Sequence, residues 1–257
     1  MPDDRWEEGE VVALKRFGVP ALLVPLTRGP IRLGQEGVVD LTAQIGRPPG
    51  DPVTWLGETY RAVRPSLSDF FGAVRRGAQI VTPKDAAYLL FLAGVSPGTH
   101  VAEAGAGSGA LTLALAHAVG AQGHVTSFDR RADFLDAARA NVARCGLSAR
   151  VTFRERDVAR DGIDLTGVGS IVLDLPEPWS VLATARSALA VGGYVATYTP
   201  TYNQLERTVR EARALGYDEV RAVELLERGL HVGDGGTRPS FEMLGHTGFL
   251  ATGRRVD

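Results

Sequence analysis

Short apolar runs alternate with longer helical stretches along this chain from residue 100 onward. The alternating segments are HVAEAG, GALTLALAHAVG, HVTSFD, RADFLDAARANVARCG, ARVTFRE, SIVLDL, WSVLATARSALAVGG, YVATYT and TYNQLERTVREARALG. Strands that alternate with helices form right-handed βαβ units, so the pattern predicts an α/β fold with a parallel sheet and helices on both faces. Ligands of such sheets bind beyond the carboxyl ends of the strands, which makes the residues after each strand the first site candidates.

The N-terminal part, residues 1–65, instead has short strand-like runs broken by glycine and proline. These runs are VVALKRF, ALLVPL, IRL, VVDL and ETYRAV. Closely spaced strands with turn residues between them predict a small β-barrel-like domain. Residues 66–257 then form the second domain.

Two helices, SLSDFFGAVRR and PKDAAYLLFLAGV, are predicted at the start of the second domain. Thr82 suits the cap of the second helix, Pro83 suits its first position, and Asp85 would complete a capping box. At the other end of the domain, EVRAVELLERGLHV and GHTGFLATGRRV predict strands that close the sheet. The glycine-rich HVGDGGTRPS is predicted to be a loop between them.

The composition is that of a soluble globular protein, with 257 residues of which 44% are hydrophobic. No apolar run approaches the ~20 residues of a membrane-spanning helix, and the acidic N-terminus is unlike a targeting leader. We therefore expect a cytoplasmic location and no membrane partner. Cys145 is the only cysteine and the five histidines have no metal-ligand spacing, so neither a disulfide nor a metal is expected.

The net charge of −2 and the pI near 6.2 argue weakly against a nucleic-acid partner, because phosphate binding depends on lysine and arginine. A local basic patch would nevertheless be sufficient. Lys15 and Lys84 are the only lysines, so nearly all of the positive charge is arginine. Arginine suits bidentate phosphate contacts, but a coding bias would give the same composition.

A glycine-rich turn, EAGAGSGAL at residues 103–111, joins the first parallel strand to its helix. Glycines let a ligand approach the backbone closely, and the helix N-terminus presents free N–H groups to it. Gly105, Gly107 and Ala110 also fit the G-x-G-x-x-[GA] dinucleotide fingerprint. The turn alone therefore predicts a nucleotide-like ligand and leaves a nicotinamide enzyme open.

Acidic residues follow the next three strands. Asp129 lies about 20 residues past the turn, where a carboxylate can bind both ribose hydroxyls. Asp157 could bind an adenine amino group, with a solvated loop acid as the alternative. Asp174 begins DLPEPW, residues 174–179, in which Pro176 and Pro178 prevent helix. A strand-end carboxylate followed by rigid backbone is typical of a pocket wall, and a helix cap is the alternative.

This order of an E-x-G-x-G-x-G turn, a strand-end acid and an acid-proline-aromatic segment resembles the class I S-adenosylmethionine-dependent methyltransferases. With RRGAQIVTPKD at residues 75–85 and GHTGFL at residues 245–250, it is similar to the tRNA (adenine-N1) methyltransferases that modify adenosine 58 in the T-loop. The resemblance covers about residues 65–254, and that family also has a small N-terminal β domain. It implies a Rossmann-like fold, S-adenosylmethionine as cofactor, tRNA as substrate and a homotetramer.

The resemblance also implies roles for individual residues. The turn would hold the methionine part and the ribose of the cofactor, Asp129 its ribose hydroxyls, and Asp157 with Val158 its adenine. Asp174 would be the catalytic carboxylate. The expected cofactor-binding residues are Glu103, Gly105, Gly107, Ser108, Gly109, Ala110, Leu111, Asp129, Asp157, Val158 and Asp174.

A carboxylate suits this reaction because N1 of adenine has an in-plane lone pair and needs alignment with the methyl–sulfur bond more than it needs a strong base. The ring becomes cationic as the new bond forms. A fixed carboxylate that accepts a hydrogen bond from the N6 amino group would orient the ring and stabilise that charge.

Contacts with tRNA are expected from Arg75, Arg76, Thr82, Lys84, Trp179 and Tyr198. Arg61 and Arg64 are further candidates, and ordinary surface charge is the alternative for the basic residues. Thr82 departs from the family, which typically has an aromatic residue at this position. Tyr198 or Tyr202 would then have to supply the ring that stacks on the target base.

Three alternatives remain at this point. A class I methyltransferase with another acceptor, a protein or a small molecule, fits the acidic net charge and Thr82. A non-catalytic tRNA-binding subunit has no need of the turn, Asp129 and Asp174 together, and a nicotinamide oxidoreductase would need a hydride-transfer pair such as Tyr-x-x-x-Lys. The sequence leaves open whether adenosine 57 is also methylated, which tRNAs are used and the oligomeric state.

Overall fold

The computed structural model describes residues 4–74 and 81–257. The predicted tRNA contacts Arg75 and Arg76 lie outside the described residues. The N-terminal part contains six strands: β1 (Val11–Arg16), β2 (Val19–Pro25), β3 (Pro30–Arg32), β4 (Val38–Asp40), β5 (Pro52–Trp55) and β6 (Glu58–Val63). Four of them form an antiparallel sheet in the order β2-β1-β6-β5, and β3 pairs with β4.

Strand β5 was not predicted from the sequence. It begins inside the proline-rich stretch GRPPGDP, which indicated a turn. Pro52 is its first residue, and β5 is an edge strand of the sheet. The missing proline N–H therefore leaves the hydrogen bonds between the interior strands intact.

One face of this β sheet buries its own apolar core, and the other face packs against the rest of the protein. Trp6, Leu14, Leu26 and Trp55 belong to the first core. Ala13 and Leu23 belong instead to a cluster that includes helical residues from the second part. The division into domains 1–65 and 66–257 stays a prediction: it falls between β6 and the first helix, and a continuous apolar cluster crosses it.

The second part alternates helices and strands as the sequence predicts. Its elements are α1 (Leu67–Ala73), α2 (Pro83–Leu92), β7 (His100–Ala104), α3 (Ala110–Ala118), β8 (His124–Asp129), α4 (Ala132–Arg144), β9 (Val151–Glu155), α5 (Val158–Asp161), β10 (Val168–Leu173), α6 (Leu182–Ala188), β11 (Leu189–Thr199), α7 (Tyr202–Ala214), β12 (Asp218–Glu224), β13 (Leu230–Gly233), β14 (Gly236–Pro239) and β15 (Phe249–Arg254).

Seven of these strands form one sheet in the order β12-β15-β11-β10-β7-β8-β9. All pairs from β11 to β9 are parallel, and β15 is antiparallel to both of its neighbours. Apolar residues of the sheet pack against α1, α2 and α3 on one face and against α6 and α7 on the other. The predicted α/β sheet is therefore confirmed. Its strand order reverses between β7 and β10, which opens a crevice at their carboxyl ends.

Two local predictions are wrong. HVGDGGTRPS is not a loop, because β13 and β14 pair across it with Gly233 opposite Gly236. The Asp-Gly dipeptide between them is a common two-residue hairpin connection. Thr82 caps α2 by position and Pro83 is its first residue, but there is no capping box, since the Thr82 hydroxyl donates to Asp85 instead of accepting a helix N–H. A capping box occurs at α1, between Ser66 and Asp69.

None of the helices in the described ranges is long and apolar enough to span a bilayer.

The packing between the two parts of the chain makes a stability prediction. Phe71 of α1 is 6% exposed inside the shared cluster, whereas Phe17, at the turn between β1 and β2, is fully exposed. Phe71→Ala should lower the free energy of unfolding by about 3–5 kcal/mol because it removes a buried ring and leaves a cavity. Phe17→Ala is the matched control and should change stability little. Urea unfolding followed by circular dichroism measures both, and equal losses would contradict the packing described.

Candidate active site

A cavity of about 590 Å³ lies at the carboxyl ends of β7, β8 and β10, where the strand order reverses. Its walls come from the segments that follow these strands and from the start of α5. The lining residues are Gly105, Gly107, Phe128, Asp129, Arg130, Arg131, Phe134, Arg156, Asp157, Val158, Ala159, Asp174, Leu175, Pro176, Glu177 and Ser180.

The glycine turn after β7 brings three chain segments into contact. A Cβ on Gly105 would lie 2.0 Å from the Asp174 carbonyl oxygen, and a Cβ on Gly109 would lie 2.9 Å from Cα of Ala138 in α4. A Cβ on Gly107 would meet no protein atom within 4 Å, so this glycine leaves open space on the cavity side. All three have positive φ angles, which favour glycine. The turn is therefore tight against β10 and α4 and open toward the cavity.

Asp129, the last residue of β8, fixes this turn. Its Oδ2 accepts a hydrogen bond from the Gly107 N–H at 3.1 Å, and its Oδ1 accepts one from the Arg131 N–H at 3.0 Å. A carboxylate oxygen can accept more than one hydrogen bond, so both oxygens retain capacity for the two hydroxyls of a ribose. This placement agrees with the role expected for Asp129.

Asp157 and Val158 lie on the far wall, where β9 ends and α5 begins. The Asp157 Oδ1 accepts a hydrogen bond from the Ala159 N–H at 3.1 Å, which makes Asp157 the cap of α5. Val158 is buried beside it. An apolar side chain next to a carboxylate acceptor suits the face and the amino edge of a flat base.

Asp174 follows β10 and lies directly across the crevice from the glycine turn. Its backbone N–H donates to the Ala104 carbonyl at 2.9 Å, which anchors it to the end of β7. Burial, together with the negative charge of Asp129, raises the pKa of the Asp174 carboxyl to about 7. No helix begins at Asp174, since the next helical turn starts at Pro178, so the alternative of a helix cap is not observed.

Glu103 lies beneath the turn and is completely buried. Its Oε2 accepts hydrogen bonds from the hydroxyls of Thr112 and Ser127, both at 2.6 Å, whereas its Oε1 has no hydrogen-bond partner in the described part of the chain. Burial raises the pKa of Glu103 to about 8. The two hydroxyls oppose this shift, and the negative charges of Asp174 and Asp129 add to it. Glu103 supports the site from below and does not line the cavity.

Four other predicted cofactor residues shape the turn without lining the cavity. Ser108, Gly109, Ala110 and Leu111 form the junction with α3. The Ser108 carbonyl accepts a hydrogen bond from the buried Asn141 side chain at 2.8 Å, which ties the turn to α4.

Several cavity residues were not predicted from the sequence, notably Arg130, Arg131 and Phe134. The Arg131 guanidinium lies over the Phe134 ring at 3.7 Å from its centroid and pairs with Asp133. Pro176 lines the cavity, as the pocket-wall prediction for DLPEPW implies, whereas Leu175 and Ser180 were not named as lining residues. Their only sequence signal is position, because each follows closely on a strand-end acid.

The predicted tRNA contacts do not converge on this cavity. The Lys84 ammonium donates hydrogen bonds to Asp85, to Thr247 and to the Leu225 carbonyl. The Tyr198 hydroxyl donates one to the Thr247 carbonyl at 2.6 Å. Trp179 is half-buried, with the Arg207 guanidinium 4.4 Å from its ring centroid.

The further basic candidates at the junction of the two parts also have protein partners. Arg64 pairs with Asp4 and Glu10, and Arg61 donates to the Gly50 carbonyl. Within residues 4–74 and 81–257, no group of three or more His, Cys, Asp or Glu side chains is arranged to hold a metal ion.

The raised pKa of Glu103 predicts how stability depends on pH. Because the folded pKa lies near 8 and the ordinary value is 4.5, the wild type should lose stability as pH rises from about 4.5 to about 8. Glu103→Gln keeps the shape and cannot ionise. The variant should therefore gain stability relative to the wild type as pH rises through this range. Urea unfolding at pH 5 and pH 8 tests this, with exposed Glu211→Gln as control; a difference independent of pH would contradict it.

Comparisons with known proteins identify the family of this chain. A family model described as the tRNA methyltransferase complex GCD14 subunit matches residues 72–237. The chain is 34% identical to the tRNA (adenine(58)-N(1))-methyltransferase TrmI of Thermus thermophilus over 96% of its length and 97% of that protein. It is also 34% identical to the tRNA (adenine(57)-N(1)/adenine(58)-N(1))-methyltransferase TrmI of Methanocaldococcus jannaschii, over 77% of this chain and 79% of that one.

Two solved structures resemble the whole chain. The tRNA (m1A58) methyltransferase TrmI of Aquifex aeolicus has a TM-score of 0.72 at 27% identity and covers 98% of this chain and 99% of its own. A SAM-dependent O-methyltransferase of Thermotoga maritima has a TM-score of 0.78 at 30% identity and covers 99% and 96%. The chain therefore belongs to the tRNA (adenine(58)-N1)-methyltransferase family and has the fold of class I S-adenosylmethionine-dependent methyltransferases.

Proposed function

We propose that this protein transfers a methyl group from S-adenosylmethionine to N1 of adenosine 58 in the T-loop of tRNA. The observation that carries the proposal is the position of Asp174, a strand-end carboxylate held across the crevice from the glycine turn. The family membership and the names of relatives that align over nearly the whole chain support it. As a tRNA-modifying enzyme, the protein would act in the cytoplasm.

The cavity fits the proposed cofactor. The open space beside Gly107 admits a ligand close to the backbone, Asp129 suits the ribose hydroxyls, and Asp157 with Val158 suits the adenine. Asp129 and Asp174 line the cavity with carboxyl groups whose ionised forms a ligand with a sulfonium and an ammonium group would stabilise. Glu103 adds a third carboxyl group beneath the turn, and its Oε1 has no hydrogen-bond partner among the described residues. When bound, S-adenosylmethionine would supply an electrophilic methyl group on a positively charged sulfur.

Asp174 would act on the acceptor base. Its carboxylate would accept a hydrogen bond from the adenine N6 amino group and thereby hold the N1 lone pair in line with the transferred methyl. As N1 gains the methyl group, positive charge develops on the ring beside this fixed carboxylate, which stabilises it. A pKa near 7 also allows Asp174 to take a proton from N6 afterwards.

A second candidate is a methyltransferase with another acceptor. The similarity to the Thermotoga maritima protein, which is described as a SAM-dependent O-methyltransferase, favours it. Thr82 favours it too, because this position lacks the aromatic residue that the resemblance implies. The two candidates share the cofactor site and differ in the acceptor.

One assay tests the function directly. The protein is incubated with labelled S-adenosylmethionine and an unmodified tRNA transcript, and the digested RNA is analysed for 1-methyladenosine and its position. Label at adenosine 58 supports the proposal, and label at adenosine 57 as well would extend it. Cofactor binding without labelled RNA would favour the second candidate.

Asp174→Ala should reduce methyl transfer roughly 10²-fold or more, because it removes the group that orients and stabilises the acceptor ring. The circular dichroism spectrum should be unchanged. Asp136→Ala, at an exposed position on α4, is the matched control and should retain full activity. Wild-type turnover in the Asp174 variant would remove this residue from its assigned role.

We also propose that the protein is a homo-oligomer, as the tetramer of the resembling family suggests. Residues 225–248, which we call the arm, contain the β13–β14 hairpin. The arm exposes large apolar side chains at Leu226, Leu230, Val232, Phe241, Met243 and Leu244. Exposed apolar patches of this kind mark association surfaces.

Light scattering coupled to gel filtration should therefore give about four times the 27.3 kDa chain mass. Val232→Asp should reduce that mass, because it places a charge in the apolar surface. Phe17→Asp, at an exposed position outside the arm, should leave it unchanged. A wild-type protein that elutes as a monomer would refute the proposal.

A further inference from the structure

Lys84 is one of only two lysines in the chain, and its ammonium group faces inward. The side chain is 15% exposed. Its Nζ donates to Asp85 Oδ1 at 2.7 Å, to Thr247 Oγ1 at 2.7 Å and to the Leu225 carbonyl at 3.0 Å. An ammonium group has three N–H donors, so these three contacts use all of them. None remains for an RNA phosphate.

Asp85, the partner of Lys84, is completely buried. Its second oxygen, Oδ2, accepts a hydrogen bond from the Thr82 hydroxyl at 2.8 Å. A buried ion pair contributes little net stability, but one with all its hydrogen bonds made fixes the relative position of the segments it joins. The pair therefore has a geometric consequence at the start of α2.

The segments that Lys84 joins to α2 are the two ends of the arm. Leu225 directly follows β12, and Thr247 stands two residues before β15. The last pair between these strands is Glu224 with Phe249. The Lys84 ammonium thus lies where the arm leaves the sheet, and it bonds to one residue on each side.

Thr247 connects this point to the active site. Its carbonyl accepts the hydrogen bond from the Tyr198 hydroxyl at 2.6 Å. The next residue, Gly248, packs against the same ring, since a Cβ there would lie 2.3 Å from Tyr198 Cζ. Tyr198 is therefore held through both its hydroxyl and its ring by the segment that Lys84 anchors.

Tyr198 in turn lies beside Asp174. In the register of β10 and β11, Leu173 is opposite Thr197, so the residues that follow them are neighbours at the strand ends. Burial raises the pKa of Tyr198 to about 12, and the negative charges of Asp85 and Asp174 add to this shift. Hydrogen bonds and packing thus extend from Lys84 through Thr247 to Tyr198, next to the proposed catalytic carboxylate.

We propose that Lys84 is a positioning residue that holds Tyr198 and the base of the arm on the acceptor side of the active site, and that it does not contact RNA phosphate. The kinetic test of this inference rests on the proposed function. The cofactor side of the crevice lies on other segments, so Lys84 should influence the acceptor alone.

Lys84→Met keeps most of the apolar stem and removes all three hydrogen bonds. We expect kcat for tRNA methylation to fall about 10- to 100-fold, because a displacement of about 1 Å near reacting atoms can cost 10²-fold. The dissociation constant for S-adenosylmethionine, measured by calorimetry, should stay at the wild-type value. The dependence of the KM for tRNA on salt concentration should also stay unchanged.

Lys15→Met is the matched control. Lys15 is 43% exposed and lies 3.5 Å from Asp69, so its loss should change neither kcat nor cofactor binding. Because Lys84→Met leaves a buried carboxylate unpaired, Lys84→Met combined with Asp85→Asn serves as a second variant without the buried charge. It should recover the wild-type circular dichroism spectrum if the single variant loses it, and it should still show the low kcat.

A phosphate contact would give the opposite result. The kcat would be unchanged, the KM for tRNA would rise, and the slope of the logarithm of that KM against the logarithm of salt concentration would be smaller by about 1. That outcome would overturn the proposal, as would a double variant that fails to fold or binds the cofactor poorly. Trypsin cleavage after Arg228 in the arm, without RNA, separates this inference from the proposed function. Cleavage should be faster in Lys84→Met than in Lys15→Met whatever the substrate is, and equal rates would overturn the anchoring role.

Discussion

The close approach of the glycine turn to the end of β10 is the constraint on which the rest of the site depends. Only glycine fits at position 105, because the Asp174 carbonyl occupies the space where a Cβ would be, and the Asp174 N–H donates a hydrogen bond to the carbonyl of Ala104, the last residue of β7. This contact is possible only where two parallel strands lie side by side and their connections leave in opposite directions. It brings the turn that would hold the cofactor and the carboxylate that would meet the acceptor into one crevice.

Concentrating carboxylates in that crevice has an electrostatic consequence. Burial raises the pKa of Glu103 and of Asp174, the negative charge of Asp129 adds to both shifts, and that of Asp174 adds to the shift of Glu103. A cationic ligand would reverse this balance by stabilising the ionised forms. Closely spaced carboxyl groups are costly to ionise in the ligand-free site, but their ionised forms would make favourable contacts with a sulfonium compound. A cationic cofactor therefore accounts for this cluster of acidic residues better than a neutral ligand would.

The sequence predicted well which strand ends meet at the cavity and predicted poorly the contacts around Lys84, and the reason is the distance along the chain. Gly105, Gly107, Asp129 and Asp174 each stand at a strand end, and the βαβ pattern alone indicates that such positions meet at one edge. Lys84, Thr247 and Leu225 meet across more than half of the chain, and nothing in their local sequence signals that contact. The sequence therefore indicated a surface cation at Lys84. Thr82 does occupy the N-cap position of α2, but its hydroxyl donates to Asp85 instead of accepting a helix N–H.

The contrast between local turns and long-range contacts also concerns which acceptor the protein uses. Relatives named for tRNA and a structural neighbour described as an O-methyltransferase align over nearly the whole chain, so the shared fold and turn do not discriminate between acceptors. The residues that lie opposite Asp174 must therefore determine which acceptor is used. On that side the described chain places Tyr198, the segment before β15 and the buried Lys84–Asp85 pair. A buried, fully bonded network at this position can hold a rigid wall against a flat base, whereas the cofactor side needs only backbone and carboxylates. Substrate choice in this protein is therefore expected to depend on long-range contacts that anchor the arm, and cofactor choice on local turns.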